Sequence, residues 1–251
     1  MTFTTTALEG KKVLVTGASS GIGAGIAVAL ATAGASIAIA GRNADRLAAT
    51  AEAARETGAT VVEIIADLTE EESAARVVAE ALDGLGGLTT LVNAAGVFEP
   101  APIASGIGFL DRQLAANVRA PFLVTAAAIE HLRPGGSVLF VSSVGGHIGF
   151  KGCSAYGATK GAIELLVRSL ALEEAPNGVR VNAVAPGNVR TPMNAHLFAD
   201  PEFEKKEIGH TPLGRIGEVG DIADAAVFFV SDSASYITGT SLLVDGGLAA
   251  G

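Results

Sequence analysis

Apolar positions along the chain alternate between two textures. Short runs dense in β-branched residues are each followed by Ala-rich stretches whose apolar positions recur with helical period. Strands are expected at 13–15, 36–40, 61–65, 90–92, 137–141, 179–184 and 240–244. Helices are expected at 21–33, 44–57, 70–82, within about 103–132, at 155–175 and at 221–230. Residues 193–215 follow neither pattern and form the longest irregular stretch. The strand runs are continuous in apolar residues rather than alternating, as in parallel strands covered by helices on both faces.

Seven strands with intervening helices predict an α/β fold. It is a doubly wound, seven-stranded parallel sheet with helices on both faces, a Rossmann fold spanning residues 1–251 as a single domain. Right-handed crossovers bring every strand's C-terminal end to one edge, where ligands of such sheets bind. The loops after Val15, Ala40, Ile65, Val92, Val141 and Ala185 are therefore expected to carry the chemistry.

Composition narrows the function. Of 251 residues, 49% are hydrophobic and 17% charged, which excludes disorder. With 17 basic and 26 acidic residues the formal charge is −9. That sign argues against nucleic acid and against anionic lipid as partners. Lys12 and Arg42 bracket 29 consecutive uncharged residues, a run that invites a membrane reading. A spanning helix needs about 20 bulky apolar residues, whereas this run holds Thr16, Ser19, Ser20 and glycines at 17, 21, 23 and 25. It reads instead as two buried elements joined by a tight turn. Cys153 is the only cysteine and has no intrachain partner. Residues 1–8 lack a basic-then-apolar leader, so a reducing, cytoplasmic setting is expected. His131, His147, His196 and His210 have no ligand spacing, and no metal is expected.

The first loop reads Thr16-Gly17-Ala18-Ser19-Ser20-Gly21-Ile22-Gly23. Its glycines allow positive φ and close backbone approach, and the N–H groups opening the next helix suit a pyrophosphate. A plain strand-to-helix turn is the alternative. The Gly-x3-Gly-x-Gly spacing resembles that of the short-chain dehydrogenase/reductase family in its short single-domain branch. The resemblance runs from Gly10 to Gly247 and rests on several motifs in order.

After the second strand stands Gly41-Arg42-Asn43, with no acidic residue to bind the ribose hydroxyls of NAD. A guanidinium there can pair with a 2′-phosphate, so NADP is the expected cofactor, with NAD left open. Arg42 could equally be a solvated side chain at a helix start. Asp67-Leu68 follows the third strand; the resemblance implies contact with adenine, while a helix N-cap by Asp67 or Thr69 is the local alternative. Asn93-Ala94-Ala95-Gly96 follows the fourth strand, and Ala94 replaces the second asparagine usual in the family. Small residues let the backbone pass close to the ribose, and Asn93 is expected to brace the sheet by side-chain-to-backbone bonds. The loop Pro186-Gly187-Asn188-Val189-Arg190-Thr191-Pro192 is implied to face the nicotinamide carboxamide through Val189 and Thr191.

Tyr156 and Lys160 lie four apart, on one face of a helix. An ammonium there would lower the phenol's pKa and fit it for general acid or base work. Ser143, 13 residues earlier at the end of a strand, places a hydroxyl at the same edge, with Ser142 as competitor. Asn117 completes the family's tetrad, where the resemblance implies that it holds a water linking Lys160 to solvent. The implied reaction interconverts a ketone and a secondary alcohol by hydride transfer, with Tyr156 as general acid or base.

The expected partner is a small carbonyl or alcohol substrate of apolar character, walled by His147, Phe150, Cys153, Phe98, Met193 and Leu197, with 193–215 as a lid. Reduction of a 3-oxoacyl group on acyl carrier protein is a second reading, weakened by the acidic Glu173-Glu174 turn after the catalytic helix. A non-catalytic dinucleotide sensor or scaffold is a third, against which the intact tetrad speaks. A homo-oligomer, a tetramer by family analogy, is expected, with Ala162, Leu166 and Leu170 as a candidate contact face.

Overall fold

A computed structural model describes residues 6–251; residues 1–5, part of the stretch read above for a leader, lie outside the described residues. Seven parallel strands form one sheet: β1 (Lys12–Thr16), β2 (Ser36–Gly41), β3 (Val61–Ile65), β4 (Thr90–Asn93), β5 (Ser137–Val141), β6 (Arg180–Pro186) and β7 (Ser241–Val244). Their spatial order is β3-β2-β1-β4-β5-β6-β7, which places the reversal of winding between β1 and β4.

The continuous apolar runs are explained by burial on both faces. Val13 and Val15 of β1 and Ile37 and Ile39 of β2 point into one core. That core is roofed by α1 (Gly21–Thr32), α2 (Ala44–Arg55) and α9 (Val219–Val230). The intervening Leu14, Ala38 and Ala40 point into the second core. Its roof is α3 (Ser73–Leu85), α5 (Ala120–Leu132) and α6 (Ser154–Glu174). Among the described residues no helix is long and apolar enough to cross a membrane.

Several elements depart from the sequence reading. The helix expected at 70–82 runs from Ser73 to Leu85, because its buried stripe of Ala74, Val77, Val78, Ala81 and Leu85 continues past 82. The 103–132 region is divided into a short turn, α4 (Ile107–Leu114), a π-helical turn (Ala115–Arg119) and α5. The stretch 193–215 is partly helical, with α7 (Ala195–Phe198) and α8 (Pro201–His210). Asp200 accepts from the Glu202 N–H and Pro201 opens α8, a local start signal that the apolar pattern does not show. Of the expected contact face, Ala162 is exposed, while Leu166 and Leu170 are partly buried against the chain's own second core. The exposed large apolar residues of α6 are Leu165 and Leu172.

Glu174, itself buried, closes α6 in an ion pair with the partly exposed Arg133. Arg133 donates to both its oxygens, at 2.8 and 2.6 Å, and Asn177 adds a bond at 3.1 Å. Arg133 holds the carboxyl below its ordinary pKa, against the effect of burial. A folded-state value below the unfolded one means stabilisation at neutral pH that is lost as pH falls through the carboxylate range. Glu174→Gln is expected to cost about 1 kcal/mol at pH 7 by chemical denaturation, since solvent at Arg133 screens the pair. The difference between the two proteins should shrink towards pH 3.

Candidate active site

The carboxyl ends of the strands meet along one edge, and the β1–α1 turn forms its centre. Gly17 has φ +68°, and a Cβ there would stand 2.6 Å from the backbone of Ala95. A Cβ on Gly23 would stand 2.3 Å from the Gly17 carbonyl oxygen. The turn is thus pressed between the β4 loop and the first turn of α1, where only hydrogen fits. Ser20 precedes α1 in extended conformation and its side chain makes no capping bond. The first N–H groups of α1 therefore lack a side-chain acceptor, as an anion site at a helix N-terminus requires. Ser19 lies against Gly41 at the end of β2, while Ile22 packs into the core below.

The adenosine side holds Arg42 and Asp67. Arg42 Nη1 is 3.6 Å from Asp67 Oδ2, and both side chains are well exposed. Oδ1 of Asp67 accepts from the Thr69 N–H at 3.0 Å and the Thr69 hydroxyl at 2.7 Å. Burial pushes this carboxyl up, but the Thr69 bonds and Arg42 outweigh it, and the net pKa is below the ordinary value. Neither Asp67 nor Thr69 caps α3, which starts further on at Ser73. Leu68 is buried, which leaves its backbone as its polar contribution to this edge.

Asn93 differs from expectation. Its Nδ2 donates to the Thr125 hydroxyl at 2.9 Å, so it ties β4 to α5 by a side-chain-to-side-chain bond. Its buried Oδ1 has no partner. The β4 loop is held to β1 by Thr16, whose hydroxyl accepts from the N–H groups of Ala94 and Ala95 at 3.2 and 3.4 Å.

Tyr156, Lys160, Ser143 and Asn117 come together at the ends of β4 and β5. Ser143 caps a short turn by accepting from the Gly145 N–H at 3.1 Å, whereas its competitor Ser142 is buried. A Cβ on Gly145 would lie 3.4 Å from both the Ser143 hydroxyl and the Tyr156 ring. Lys160 Nζ donates to the Val141 carbonyl at 2.9 Å and sits 5.7 Å from the centre of the Tyr156 ring. Asn117 lies on the π turn, which turns its amide inward. It donates to the Val97 carbonyl at 2.9 Å and the Thr159 hydroxyl at 3.1 Å, and accepts from the Val97 N–H at 2.7 Å. Its side chain clamps the segment after β4 rather than facing Lys160 directly.

The electrostatics reverse one expectation. Burial raises the Tyr156 pKa, and the Ser143 hydrogen bond only partly opposes it. Lys160 is itself pushed down to about 8 by burial, with Glu164 opposing. Here the lysine bonds to a carbonyl, and desolvation sets the direction of the phenol's shift.

Pro186, Gly187, Val189 and Thr191 extend from β6 over this edge. Two residues missing from the sequence reading organise the neighbourhood. Asn194 accepts from both the N–H and the hydroxyl of Thr191 at 2.9 Å and donates to the Val189 carbonyl at 2.8 Å. Gln113, wholly buried one turn before Asn117, donates to the Glu99 carbonyl at 3.2 Å. Both are lone amides, Asn194 bound within its own loop and Gln113 to a backbone carbonyl 14 residues away, and neither belongs to a motif the sequence marks. Arg190 and Asn188 bind Glu204 and Glu207 of α8, each at 2.7 Å.

A cavity of about 270 Å³ lies between the loop after β5 and the start of α6, lined by 145–150, Cys153, Ser154, Gly157 and Ala158. His147, Phe150 and Cys153 line it as expected; Met193 and Leu197 do not. Phe98 packs edge-on against Tyr156, ring centres 4.9 Å apart.

A doubly wound parallel sheet with such a turn at its switch point defines a dinucleotide-binding protein of the Rossmann class. The family model described as "Enoyl-(Acyl carrier protein) reductase" matches residues 17–249. The chain is 42% identical over 245 residues to glucose 1-dehydrogenase of Gluconobacter oxydans, covering 95% of this chain and 92% of that one. A short-chain dehydrogenase/reductase of Serratia marcescens superposes with TM-score 0.92 at 35% identity, over 97% of this chain and 99% of that one. A 7α-hydroxysteroid dehydrogenase complexed with NADH and 7-oxo glycochenodeoxycholic acid superposes with TM-score 0.94 at 32% identity, over 98% of each chain. The chain belongs to the short-chain dehydrogenase/reductase family and is an oxidoreductase of that type. The family binds nicotinamide dinucleotides.

Proposed function

We propose that the chain is an NADPH-preferring carbonyl reductase and alcohol dehydrogenase that interconverts a ketone and a secondary alcohol. The observation that carries this reading is the convergence of Tyr156, Ser143 and Lys160 at the carboxyl edge of the sheet. The uncapped start of α1 and the hydrogen-only contacts at Gly17 and Gly23 fit a pyrophosphate. When bound, the nicotinamide nucleotide supplies the hydride or accepts it.

The chain's own groups do the rest. Ser143 and Tyr156 direct hydroxyl donors at the substrate oxygen, where negative charge develops during reduction. Tyr156 gives up its proton there. Its raised pKa keeps the phenol protonated at neutral pH, the form reduction needs. Alcohol oxidation needs the phenolate and is expected to speed up as pH rises. Lys160 supplies the positive charge that steadies that phenolate, and bonds the nicotinamide ribose hydroxyls. Asn117 fixes the Val97 backbone beside this group and holds the water that links Lys160 to solvent. Thr191 shares its proton with Asn194 and leaves oxygen lone pairs for the carboxamide N–H groups. The segment 193–215 serves as substrate lid within a single domain. The substrate is a small or medium ketone or alcohol with an apolar body, in keeping with the glycine-, Ile148- and Phe150-lined cavity.

NADPH preference rests on Arg42, whose exposed guanidinium is shared with Asp67. Arg42→Ala is expected to weaken NADPH about tenfold or more and NADH little. Parallel assays at 340 nm in both cofactors read this directly. A wild-type preference for NADH, or an equal loss with both, would show that Arg42 is merely solvated.

The description of the matching family model favours a second reading, reduction of a substrate carried by acyl carrier protein. The acidic net charge of −9 disfavours docking of an acidic carrier. We also read the chain as a homo-oligomer, a tetramer, supported by the exposed Leu165 and Leu172 of α6 and Phe122 of α5. Sedimentation showing a 25.0 kDa species would overturn this.

A further inference from the structure

The loop after β6 and the helix α8 are fastened to each other by two side-chain bonds. Residues 188–190 run as a short extended segment. Arg190 donates its N–H to the Gly217 carbonyl at 2.9 Å, and Gly217 donates its own to the Asn188 carbonyl at 2.8 Å. Extended chain turns successive side chains to opposite faces. Val189 enters the first core, while Asn188 and Arg190 turn together the other way. On α8, Glu204 and Glu207 stand three apart and share a face. The two spacings match. Asn188 donates to Oε2 of Glu207 and Arg190 donates through Nη2 to Oε1 of Glu204, both at 2.7 Å.

These bonds hold a helix that has little apolar anchorage. No residue of α8 is fully buried, and Phe203 and Ile208 are its partly covered apolar side chains. Phe203 meets Phe198 of α7 with ring centres 5.6 Å apart, and the Arg190 guanidinium lies over the Phe198 ring at 5.3 Å. Arg190 also stands 3.9 Å from Glu218, which precedes α9. One guanidinium thus joins α7, α8 and the start of α9. Its neighbour Thr191 borders the phosphate turn: a Cβ on Gly21 would lie 3.5 Å from Cβ of Thr191. A single short loop therefore touches the N-terminus of α1 on one side and carries α8 on the other.

We propose that Glu204 and Glu207 are positioning residues that couple the lid to the cofactor edge: through Arg190 and Asn188 they make α8 and the 188–191 loop one body. A nucleotide that meets Thr191 then also fixes α8, and α8 in turn holds Thr191 in place for the nucleotide. The proposal rests on the reading of 186–191 as a cofactor contact and of 193–215 as the lid. With the two bonds cut, the pairing of Val189 with Gly217 and the Asn194 clamp still hold the loop's backbone. Nucleotide binding then weakens without being lost, and α8 no longer responds to it.

The test is amide hydrogen exchange of the full-length protein, read by mass spectrometry without nucleotide and with saturating NADPH or NADH. In the parent, nucleotide is expected to slow exchange in 17–24 and, through the two bonds, by about fivefold or more in α8. Glu204→Ala with Glu207→Ala replaces two partly exposed carboxylates by the best helix former. This pair is expected to keep the protection of 17–24 and to lose that of α8. Linkage is reciprocal, so nucleotide affinity, read by fluorescence titration, should fall by the same factor. If the carboxylates merely held α8 down, exchange in α8 would rise equally with and without nucleotide, and its protection by nucleotide would survive. That result overturns the proposal, as does a parent in which 17–24 is protected and α8 is not. Glu204→Gln with Glu207→Gln keeps both acceptors and is expected to recover most of the coupling. No recovery overturns the proposal, because the loss would then follow charge rather than these bonds. If the alanine pair does not fold, Asn188→Ala with Arg190→Met cuts the same bonds from the loop side. The same loss is expected, and undiminished protection of α8 overturns the proposal. Absence of protection at 17–24 with either nucleotide would instead defeat the cofactor reading itself, and the proposal with it.

Discussion

Tyr156→Phe is expected to lower kcat about a thousandfold in both directions while cofactor affinity changes little. The substitution removes one oxygen from a ring that keeps its packing against Phe98. The phenol has no substitute as proton donor. Ser143 retains its hydroxyl, but an aliphatic alcohol is too weak an acid to deliver a proton to an alkoxide-like oxygen at neutral pH; it can only share a hydrogen bond there. Cys153 lines the cavity, yet burial raises its pKa and it lies on the loop before α6. The residual rate should come from substrate positioning and from the Ser143 hydrogen bond. Cofactor binding, read by quenching or by fluorescence of the reduced nucleotide, separates this result from misfolding. Undiminished turnover across a ketone panel would overturn the proposed mechanism.

The fold was legible because parallel strands buried on both faces need uninterrupted apolar runs, and little else in a sequence does. The loop at 16–23 was legible for a related reason. A turn squeezed between two backbones must be glycine at fixed positions, and Gly17 and Gly23 stand where a Cβ would collide. Tyr156 and Lys160 were legible because helical spacing places them on one face. Interactions between distant segments were not. The grip of Gln113 on Glu99 and the His147–Glu164–Ser241 cluster join residues whose relation exists only after folding. The sign of the Tyr156 shift escaped for the same reason. Spacing reveals a neighbouring ammonium but not how much water folding removes from the phenol, and desolvation wins. Boundaries erred where caps outrank periodicity, as at Asp200-Pro201, which starts α8 inside a stretch without an apolar pattern.

Gly23→Ala is expected to abolish dinucleotide binding, with affinity reduced at least about a hundredfold, and to destabilise the fold by about 3 kcal/mol. The added methyl would stand 2.3 Å from the Gly17 carbonyl oxygen and 2.8 Å from its carbon. Neither side of this contact can yield cheaply. Gly23 is wholly within α1, anchored below by Ile26, Ala27 and Leu30 in the first core. Gly17 cannot retreat, because it lies against Ala95, whose loop Thr16 pins to β1. Relief therefore requires lifting the whole turn away from α1, which displaces the N–H groups that would face the pyrophosphate. Thermal melts with and without NADPH distinguish the two effects. The unaltered protein should gain stability with ligand, as linkage requires. The variant should melt at a lower temperature and show no such gain. A Gly23→Ala protein that melts like the parent and binds NADPH normally would show that this turn is not the phosphate cradle.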